Sequence, residues 1–312
     1  MIEKSIKKLI RGTGRDLSSY LREIHSDKVI HKTKARSYCN MLKLDGNGRP
    51  RVEDFAEFIS MRLVDYAIPR SEIEKAKKKD IEHNSTVWTS KLTKKAVGLF
   101  THLKNSGEGG EVLLYILVQE ILKIPQLLCK MPLKTNSEMH YHGVDGIHVE
   151  FDKGEDKLAL YWGESKLYQD VDQGIASCFK SLKGFFETAG GSTAPQERDV
   201  QLIRDNIDLL DSELEDAIVN YLDKDHTNFN KMQYRGVCLI GFDSDKYPTK
   251  PNSILEHEVE SSIKKEIEKW QKSLSTNIIK APPLEQFILH VFLLPFPNVR
   301  DFRTAFLKEI GV

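Results

Sequence analysis

Residues 141–166 read YHGVDGIHVEFDKGEDKLALYWGESK and predict two antiparallel β-strands joined by a turn at Lys153 and Gly154. If the centre of the turn lies between Gly154 and Glu155, the residue numbers of every pair of opposed residues add up to the same total. Because strand side chains alternate with a period of two, the pairs at this spacing share one face of the hairpin. The predicted pairs are Phe151 with Leu158, Val149 with Leu160, Ile147 with Trp162, and Asp145 with Glu164.

The last pair is unusual because it sets two carboxylates opposite each other beside three apolar pairs. Directly opposed residues have Cβ atoms about 4.5–5.5 Å apart, and like charges there destabilise a sheet. A divalent cation would remove the repulsion, since Mg²⁺ prefers oxygen ligands and keeps several waters. Lys166 lies two residues beyond Glu164 on the same face, where its ammonium group can steady an attacking water and a scissile phosphate. The pattern predicts Asp145 and Glu164 as metal ligands, and these two with Lys166 as catalytic residues.

A simpler interpretation of the same three residues stays open. The spacing of an Asp followed by Glu-x-Lys occurs by chance in many sequences, and two carboxylates at the end of a strand pair can be solvated. A slip of one residue in the strand register would also turn Asp145 and Glu164 to opposite faces.

Helical and strand patterns are interspersed along the rest of the chain, which predicts a mixed α/β fold. Residues 111–124 (EVLLYILVQEILKI) are apolar almost all round and predict a buried helix. Residues 287–296 (FILHVFLLPF) predict a buried central strand. Apolar residues at helical spacing predict one amphipathic helix over Asp199–Leu222. The stretch NSGEGGE at residues 105–111 is rich in Gly and Ser, and a boundary is predicted just before it.

The charge balance of the chain restricts how it could bind nucleic acid. The 312 residues include 46 basic and 46 acidic side chains, so the formal net charge is zero. Since a basic field over the whole molecule is absent, nucleic acid would have to be bound by a local groove or with a partner. The basic runs Lys75–Lys79 and Lys91–Lys95 are expected to be solvated helix faces, with phosphate contact as the alternative.

Cysteine usage and hydropathy indicate a cytoplasmic protein. The four cysteines include no CxxC pair and are expected to be buried free thiols in a reducing compartment. No apolar run reaches the about 18 residues that a membrane span needs. The N-terminal sequence lacks the apolar segment of a signal peptide. We therefore expect a cytoplasmic location and no membrane partner.

With these residues in view, the arrangement resembles the active-site motif of the PD-(D/E)xK nuclease superfamily. The stretches GVDGIHVEF, LYWGESKLY and FLLPFPNVRDF more closely resemble the HamA family, the nuclease subunits of the Hachiman anti-phage defence system. The resemblance is strongest from about Gly107 to Phe179 and at the C-terminus. Asp145 matches the motif Asp, and Glu164 with Lys166 matches its ExK. Val144 stands where the motif has Pro, a position that is often replaced in the superfamily.

The resemblance implies a fold, an activity and partners. The implied fold is a PD-(D/E)xK restriction-endonuclease-like core, with a mixed central sheet flanked by helices, and an N-terminal mixed α/β region. Residues 105–312 are predicted to be the nuclease domain, and residues 1–104 an accessory region and candidate partner-binding region. The implied activity is a DNA endonuclease that depends on Mg²⁺, with Mn²⁺ as a substitute. A HamB-like helicase is the implied partner, and it would control cutting in bacterial immunity.

Further site residues follow from the same resemblance. Many superfamily members carry a Glu on the first core helix, and Glu111 is the preferred third metal ligand here, with Glu108 and Glu120 as alternatives. Even without a metal, the negative charge of Glu111 would be stabilised at the N-terminus of its helix by the helix dipole. Gln173 and Lys180 lie on the helix predicted after the ExK strand. Gln173 is predicted to support a metal water or touch a phosphate, and Lys180 to contact DNA, although a solvated helix face explains both equally.

Two other functions are compatible with the sequence. A stand-alone restriction or repair endonuclease would use the same residues, and a neighbouring helicase gene would favour the defence pair over it. A nuclease-fold subunit that binds a partner without cutting would not need an intact Asp, Glu and Lys. The favoured mechanism is metal-assisted phosphodiester hydrolysis without a covalent enzyme intermediate.

Overall fold

The computed structural model describes residues 2–12, 17–100, 107–134, 145–187 and 195–311. Seven strands in this part of the chain form one sheet, in the order β1-β2-β7-β6-β5-β4-β3. The strands are β1 (Leu21–Val29), β2 (Arg36–Leu42), β3 (Gln126–Leu128), β4 (Gly146–Asp152), β5 (Lys157–Tyr168), β6 (Met232–Asp243) and β7 (Leu289–Phe296).

The sheet is mixed, which confirms the predicted α/β class. Strands β2, β7, β6 and β5 run parallel to one another, while β1 pairs antiparallel with β2, β4 with β5, and β3 with β4. Strand β7 lies between β2 and β6, which confirms the buried central strand predicted from its apolar run. Central parallel strands are covered on both faces, so an almost continuous apolar sequence is what such a position requires.

The register of β4 and β5 confirms the three apolar pairs that the sequence predicts. Phe151 pairs with Leu158, Val149 with Leu160 and Ile147 with Trp162. The Asp152 carboxylate accepts hydrogen bonds from the backbone N–H groups of Gly154 and Glu155, which closes the turn. The hairpin therefore has the predicted phase along its apolar length, and this phase sets the faces of the residues that follow in β5.

Helices lie before, between and after the strands along the chain. Their bounds are α1 (Ile2–Lys8), α2 (Leu17–Tyr20), α3 (Val52–Ser60), α4 (Leu63–Ala67), α5 (Arg70–Glu82), α6 (Val87–Gly98), α7 (Glu108–Leu117), α8 (Met131–Lys134), α9 (Val171–Lys183), α10 (Pro195–Asn206), α11 (Ser212–Leu222), α12 (Glu256–Ile279) and α13 (Val299–Glu309). A π-helical segment, Val118–Leu122, continues α7, and short 3-10 turns lie at Thr227–Lys231 and Leu284–Gln286.

Two helices lie against opposite faces of β5 and thereby define its surroundings. Gly110 of α7 sits so close to the sheet that an added Cβ would lie 3.2 Å from both Leu167 and Ser165. On the other face, a Cβ on Gly174 of α9 would lie 3.1 Å from Ile240 and 3.5 Å from Tyr168. The alternating residues of β5 therefore contact two different helices, and the small glycines allow both helices to pack closely.

The amphipathic helix predicted over Asp199–Leu222 is wrong as a single element. The chain forms two helices, α10 and α11, and residues 207–211 between them are not helical. Leu210 adopts a left-handed conformation with φ of 62°, and Asp211 then caps α11 by accepting a hydrogen bond from the Leu214 N–H. The apolar spacing continued across this interruption, so periodicity alone could not reveal it.

Strands β1 and β2 lie within residues 1–104, and β2 pairs with β7 in the common sheet. The predicted accessory region thus contributes strands to the same sheet as the predicted nuclease domain. The predicted boundary between residues 104 and 105 falls outside the described residues and stays a prediction.

Cys39, Cys178 and Cys238 are buried, Cys129 is partly buried, and all four are free thiols. Within the described ranges, no helix is both long and apolar enough to cross a membrane.

Candidate active site

Glu164 and Lys166 lie near the carboxyl end of β5, on the face covered by α9. Glu164 is 6% exposed and is opposite Cys238 of β6 in the parallel register. The Lys166 Nζ lies 2.5 Å from Glu164 Oε1 and donates a hydrogen bond to it. The ammonium group and the carboxylate predicted to share one face therefore meet in the structure.

Asp145 immediately precedes β4, and the structure corrects its predicted position. The β4–β5 pairing ends at Gly146 and Gly163, and the Asp145 N–H donates to the Gly163 carbonyl at 2.8 Å. The Asp145 Oδ2 accepts hydrogen bonds from the N–H and the hydroxyl of Ser165, both at 2.7 Å. Asp145 and Glu164 do not form a fourth cross-strand pair, because the ladder stops one residue earlier and the carboxylate binds the strand edge that the ladder leaves open.

The charge of Asp145 nevertheless acts on the Glu164 carboxylate. Burial, and next the charge of Asp145, raise the pKa of Glu164 to about 7, against the opposing effect of Lys166. Burial disfavours the charged form of Lys166, but the charges of Glu164 and Asp145 outweigh it and raise the pKa of Lys166 above its ordinary value. The strand end thus contains a buried acid with a displaced pKa, a second acid and a cation, which is a pattern typical of functional sites.

Glu111 is connected to this group through Tyr66. The Tyr66 hydroxyl of α4 donates to Glu111 Oε2 at 2.9 Å and also lies 3.3 Å from the Asp145 carbonyl oxygen. Glu120, one of the two alternatives, contacts the Arg62 guanidinium at 3.4 Å, and the other, Glu108, is 5% exposed. Glu111 is thus linked through Tyr66 to the backbone of Asp145.

The two predicted residues of α9 lie on its outer surface. Gln173 and Lys180 are exposed, and the Gln173 N–H is capped by Asp170. Other residues of α9 act on Glu164 instead: a side-chain hydrogen bond of Ser181 lowers the pKa of Glu164 and so favours the ionised carboxylate, and the Cys178 Sγ lies 3.7 Å from the Glu164 carbonyl oxygen. Ser181 follows Gln173 and Ser177 at helical spacing, so the same pattern that singled out Gln173 would have found it one turn further on.

The donor set of the site fits Mg²⁺. The described residues contain no group of three or more His, Cys, Asp and Glu side chains arranged to hold a metal ion. Mg²⁺ does not require one, since it is commonly bound by one or two carboxylates and several waters. Asp145 and Glu164 supply oxygen donors of the required kind. Burial raises the pKa of Glu164, and the positive charge of Lys166 opposes this rise.

A family model described as HamA matches residues 18–310 of the chain. The chain belongs to the HamA family. The match covers the whole sheet together with Asp145, Glu164 and Lys166, and it extends across the predicted domain boundary. HamA belongs to the Hachiman defence system, and this membership associates the chain with that system. No curated protein matches the chain.

The tyrosine that joins Glu111 to Asp145 in this HamA chain gives a first prediction. Tyr66→Phe removes a buried hydrogen bond to a carboxylate, and we expect the free energy of unfolding to fall by about 1–3 kcal/mol in urea titrations. The loss is expected because the partly buried Glu111 would lose the donor at 2.9 Å and the buried Tyr66 would lose its link to it.

Tyr115→Phe is the matched control for this substitution. The Tyr115 ring lies 5.5 Å from the Tyr66 ring, and its buried hydroxyl has no hydrogen-bond partner among the described residues. Its removal is expected to be neutral or stabilising. Equal destabilisation by the two substitutions would show that the Tyr66 hydroxyl contributes no specific link.

Proposed function

We propose that this chain is a Mg²⁺-dependent DNA endonuclease of a Hachiman defence system, with a PD-(D/E)xK-like core and a helicase partner that controls cutting. The observation that carries the proposal is the buried Glu164 beside Lys166 and within electrostatic reach of Asp145, at the end of a strand pair in a mixed sheet. A buried acid whose pKa is raised to about 7, beside a cation and a second acid, supports this proposal because such clusters are typical of catalytic sites. The proposed location is the cytoplasm.

In this proposal Asp145 and Glu164 would hold Mg²⁺, or Mn²⁺ in its place. Glu111 does not form a three-ligand group with them among the described residues, and we propose it as a further ligand that joins them when the metal binds. The bound cation supplies positive charge to the scissile phosphate and makes water a stronger nucleophile. Lys166 places its ammonium group next to the same carboxylates, where it can orient the attacking water and stabilise negative charge in the transition state. Tyr66 fixes the relative position of Glu111 and the Asp145 backbone.

The residues around this group have supporting roles in the same proposal. Ser165 fixes the Asp145 carboxylate through two hydrogen bonds at 2.7 Å. Ser181 positions Glu164 from α9. Gln173 and Lys180 are exposed on that helix, and we keep them as candidate contacts to a metal water and to the DNA backbone.

A supercoiled-plasmid assay tests the proposal. We expect nicking and linearisation with Mg²⁺ or Mn²⁺ and none with a chelator. Addition of the helicase partner is expected to suppress cutting until DNA engages the helicase, because an unrestrained nuclease would damage its host. Absence of cutting under all metal conditions, with and without partner and DNA, would leave the chain as a non-catalytic subunit and reject the enzymatic proposal.

A further inference from the structure

Helices α5 and α6 form an antiparallel pair with an unusual local charge. Residues 70–98 contain eight basic and four acidic side chains, which gives a net charge of +4 in a chain whose total is zero. The pair, called the basic hairpin below, is the local basic region that a neutral chain needs in order to bind a polyanion.

Four lysines of the basic hairpin are available for such contacts. Lys77 and Lys95 pair with Glu74 and Glu72 at 2.9 and 2.7 Å. Lys75 and Lys78 of α5 and Lys91 and Lys94 of α6 are exposed and have no ion-pair partner among the described residues. Each pair is spaced by three residues, so its two ammonium groups extend from one face of their helix.

The tip of the basic hairpin is fixed and partly apolar. The Asp80 carboxylate accepts hydrogen bonds from the N–H groups of Trp88 and Thr89, both at 2.9 Å, and this joins the end of α5 to the start of α6. Ile81 and Val87 remain 80% and 48% exposed. Such residues at the end of a rigid, basic element can contact sugars or a base step, as apolar wedges do in DNA-binding proteins.

The base of the basic hairpin adjoins the candidate active site. Tyr66 lies just before α5 and contacts both Glu111 and Asp145. Phe100 lies just after α6, and its ring centroid is 6.3 Å from that of Tyr66. Both ends of the hairpin thus attach to the residue that links the acidic side chains, so a phosphate backbone held by the hairpin would be directed to the site.

We propose that the basic hairpin is the element that docks DNA for cleavage, with Lys75, Lys78, Lys91 and Lys94 as phosphate contacts and the Ile81–Val87 tip against the duplex. This inference rests on the proposed nuclease function and names the surface that delivers its substrate. It replaces the expectation that the two lysine runs are only solvated helix faces. Four exposed ammonium groups without an ion-pair partner in the described ranges favour a polyanion over a protein partner, because phosphate contacts give most of the affinity in non-specific DNA binding.

Fluorescence anisotropy with a labelled duplex, in chelator so that no cutting occurs, tests this proposal. The quadruple change Lys75→Gln, Lys78→Gln, Lys91→Gln and Lys94→Gln is expected to weaken DNA binding by about tenfold or more in low salt. The slope of log K against log salt, measured between about 50 and 200 mM, should become less steep by about 3. The full-length chain is used throughout.

The matched control carries the same charge change on α12 and the residue that follows it. Lys265, Lys269, Lys272 and Lys280 are exposed there, and their change to Gln is expected to leave the salt slope unchanged. Equal weakening in both variants would assign the effect to net charge and overturn the proposal, as would unchanged binding in the hairpin variant or no binding by the unmodified chain. Plasmid cleavage is scored separately, so loss of the docking surface and loss of catalysis remain distinguishable.

Discussion

Replacement of Glu164 by Gln, or of Lys166 by Met, is expected to lower the Mg²⁺-dependent rate of DNA cleavage by about 10³-fold or more. A change of this size corresponds to about 4 kcal/mol of transition-state stabilisation. It is expected because one substitution removes the charge of the proposed metal ligand and the other removes a partly buried cation that lies 2.5 Å from that carboxylate. Initial rates of plasmid nicking give the measurement.

Glu155→Gln and Lys157→Met are the matched controls, because they make the same changes of side chain and charge in the same hairpin. Both residues lie at the turn end of the same hairpin and pair with each other at 3.0 Å. They are far along the strand from Glu164, so cleavage should stay close to that of the unmodified chain. Comparable cleavage by the Glu164 and Lys166 variants and by these controls would remove the catalytic assignment.

Glu164→Gln is also expected to stabilise the protein in alkaline solution. Since the pKa of Glu164 is about 7 in the folded state and 4.5 for the free side chain, the folded state retains the proton more readily than the unfolded state. The stability that this proton provides is fully present below pH 4.5 and is lost as the pH rises through 7. At pH 8 the ionised group lowers the free energy of unfolding by about 3 kcal/mol, and the neutral amide avoids this loss.

Thermal or urea unfolding at two pH values measures the effect. The Glu164→Gln variant should exceed the unmodified chain by about 2–3 kcal/mol at pH 8 and match it near pH 4.5. Glu155→Gln should show no such gain, because the hydrogen bond from Lys157 lowers the pKa of Glu155. Mg²⁺ should stabilise the unmodified chain at pH 8 more than the Glu164 variant. Lower stability of Glu164→Gln at pH 8 would contradict the buried-acid interpretation.

The expected combination of lost activity and gained stability has a simple physical meaning. A carboxylate held away from water is unfavourable for folding, and a cation that it binds offsets that cost. Active sites commonly retain such unfavourable groups because function depends on them. A variant that loses both activity and stability at pH 8 would instead indicate that Glu164 is a structural partner of Lys166.

Short-range features of the fold could be predicted from the sequence because they repeat locally. Alternation within β4 and β5 fixed the three apolar pairs of the hairpin and placed Lys166 on the face of Glu164. The apolar runs of α7 and β7 predicted their burial. Each of these inferences needed only the period of one element and the position of one turn.

Features that depend on where an element stops, or on distant residues, could not be predicted. Asp145 falls one residue before β4. Its carboxylate accepts a hydrogen bond from the Ser165 N–H of β5, which the alternation of strand side chains does not predict. Tyr66 reaches Glu111 and Asp145 from positions 45 and 79 residues away in the chain. The exposed, irregularly paired β1 has no alternation of apolar residues to identify it.

The most direct measurement is an anomalous difference map from crystals soaked in Mn²⁺. We expect a peak between the Asp145 and Glu164 carboxylates, with Lys166 beside it and Glu111 as the nearest further carboxylate. A map without a peak there, in which Asp145 still binds Ser165 and Glu164 still binds Lys166, would contradict the claim that these two acids form a metal site.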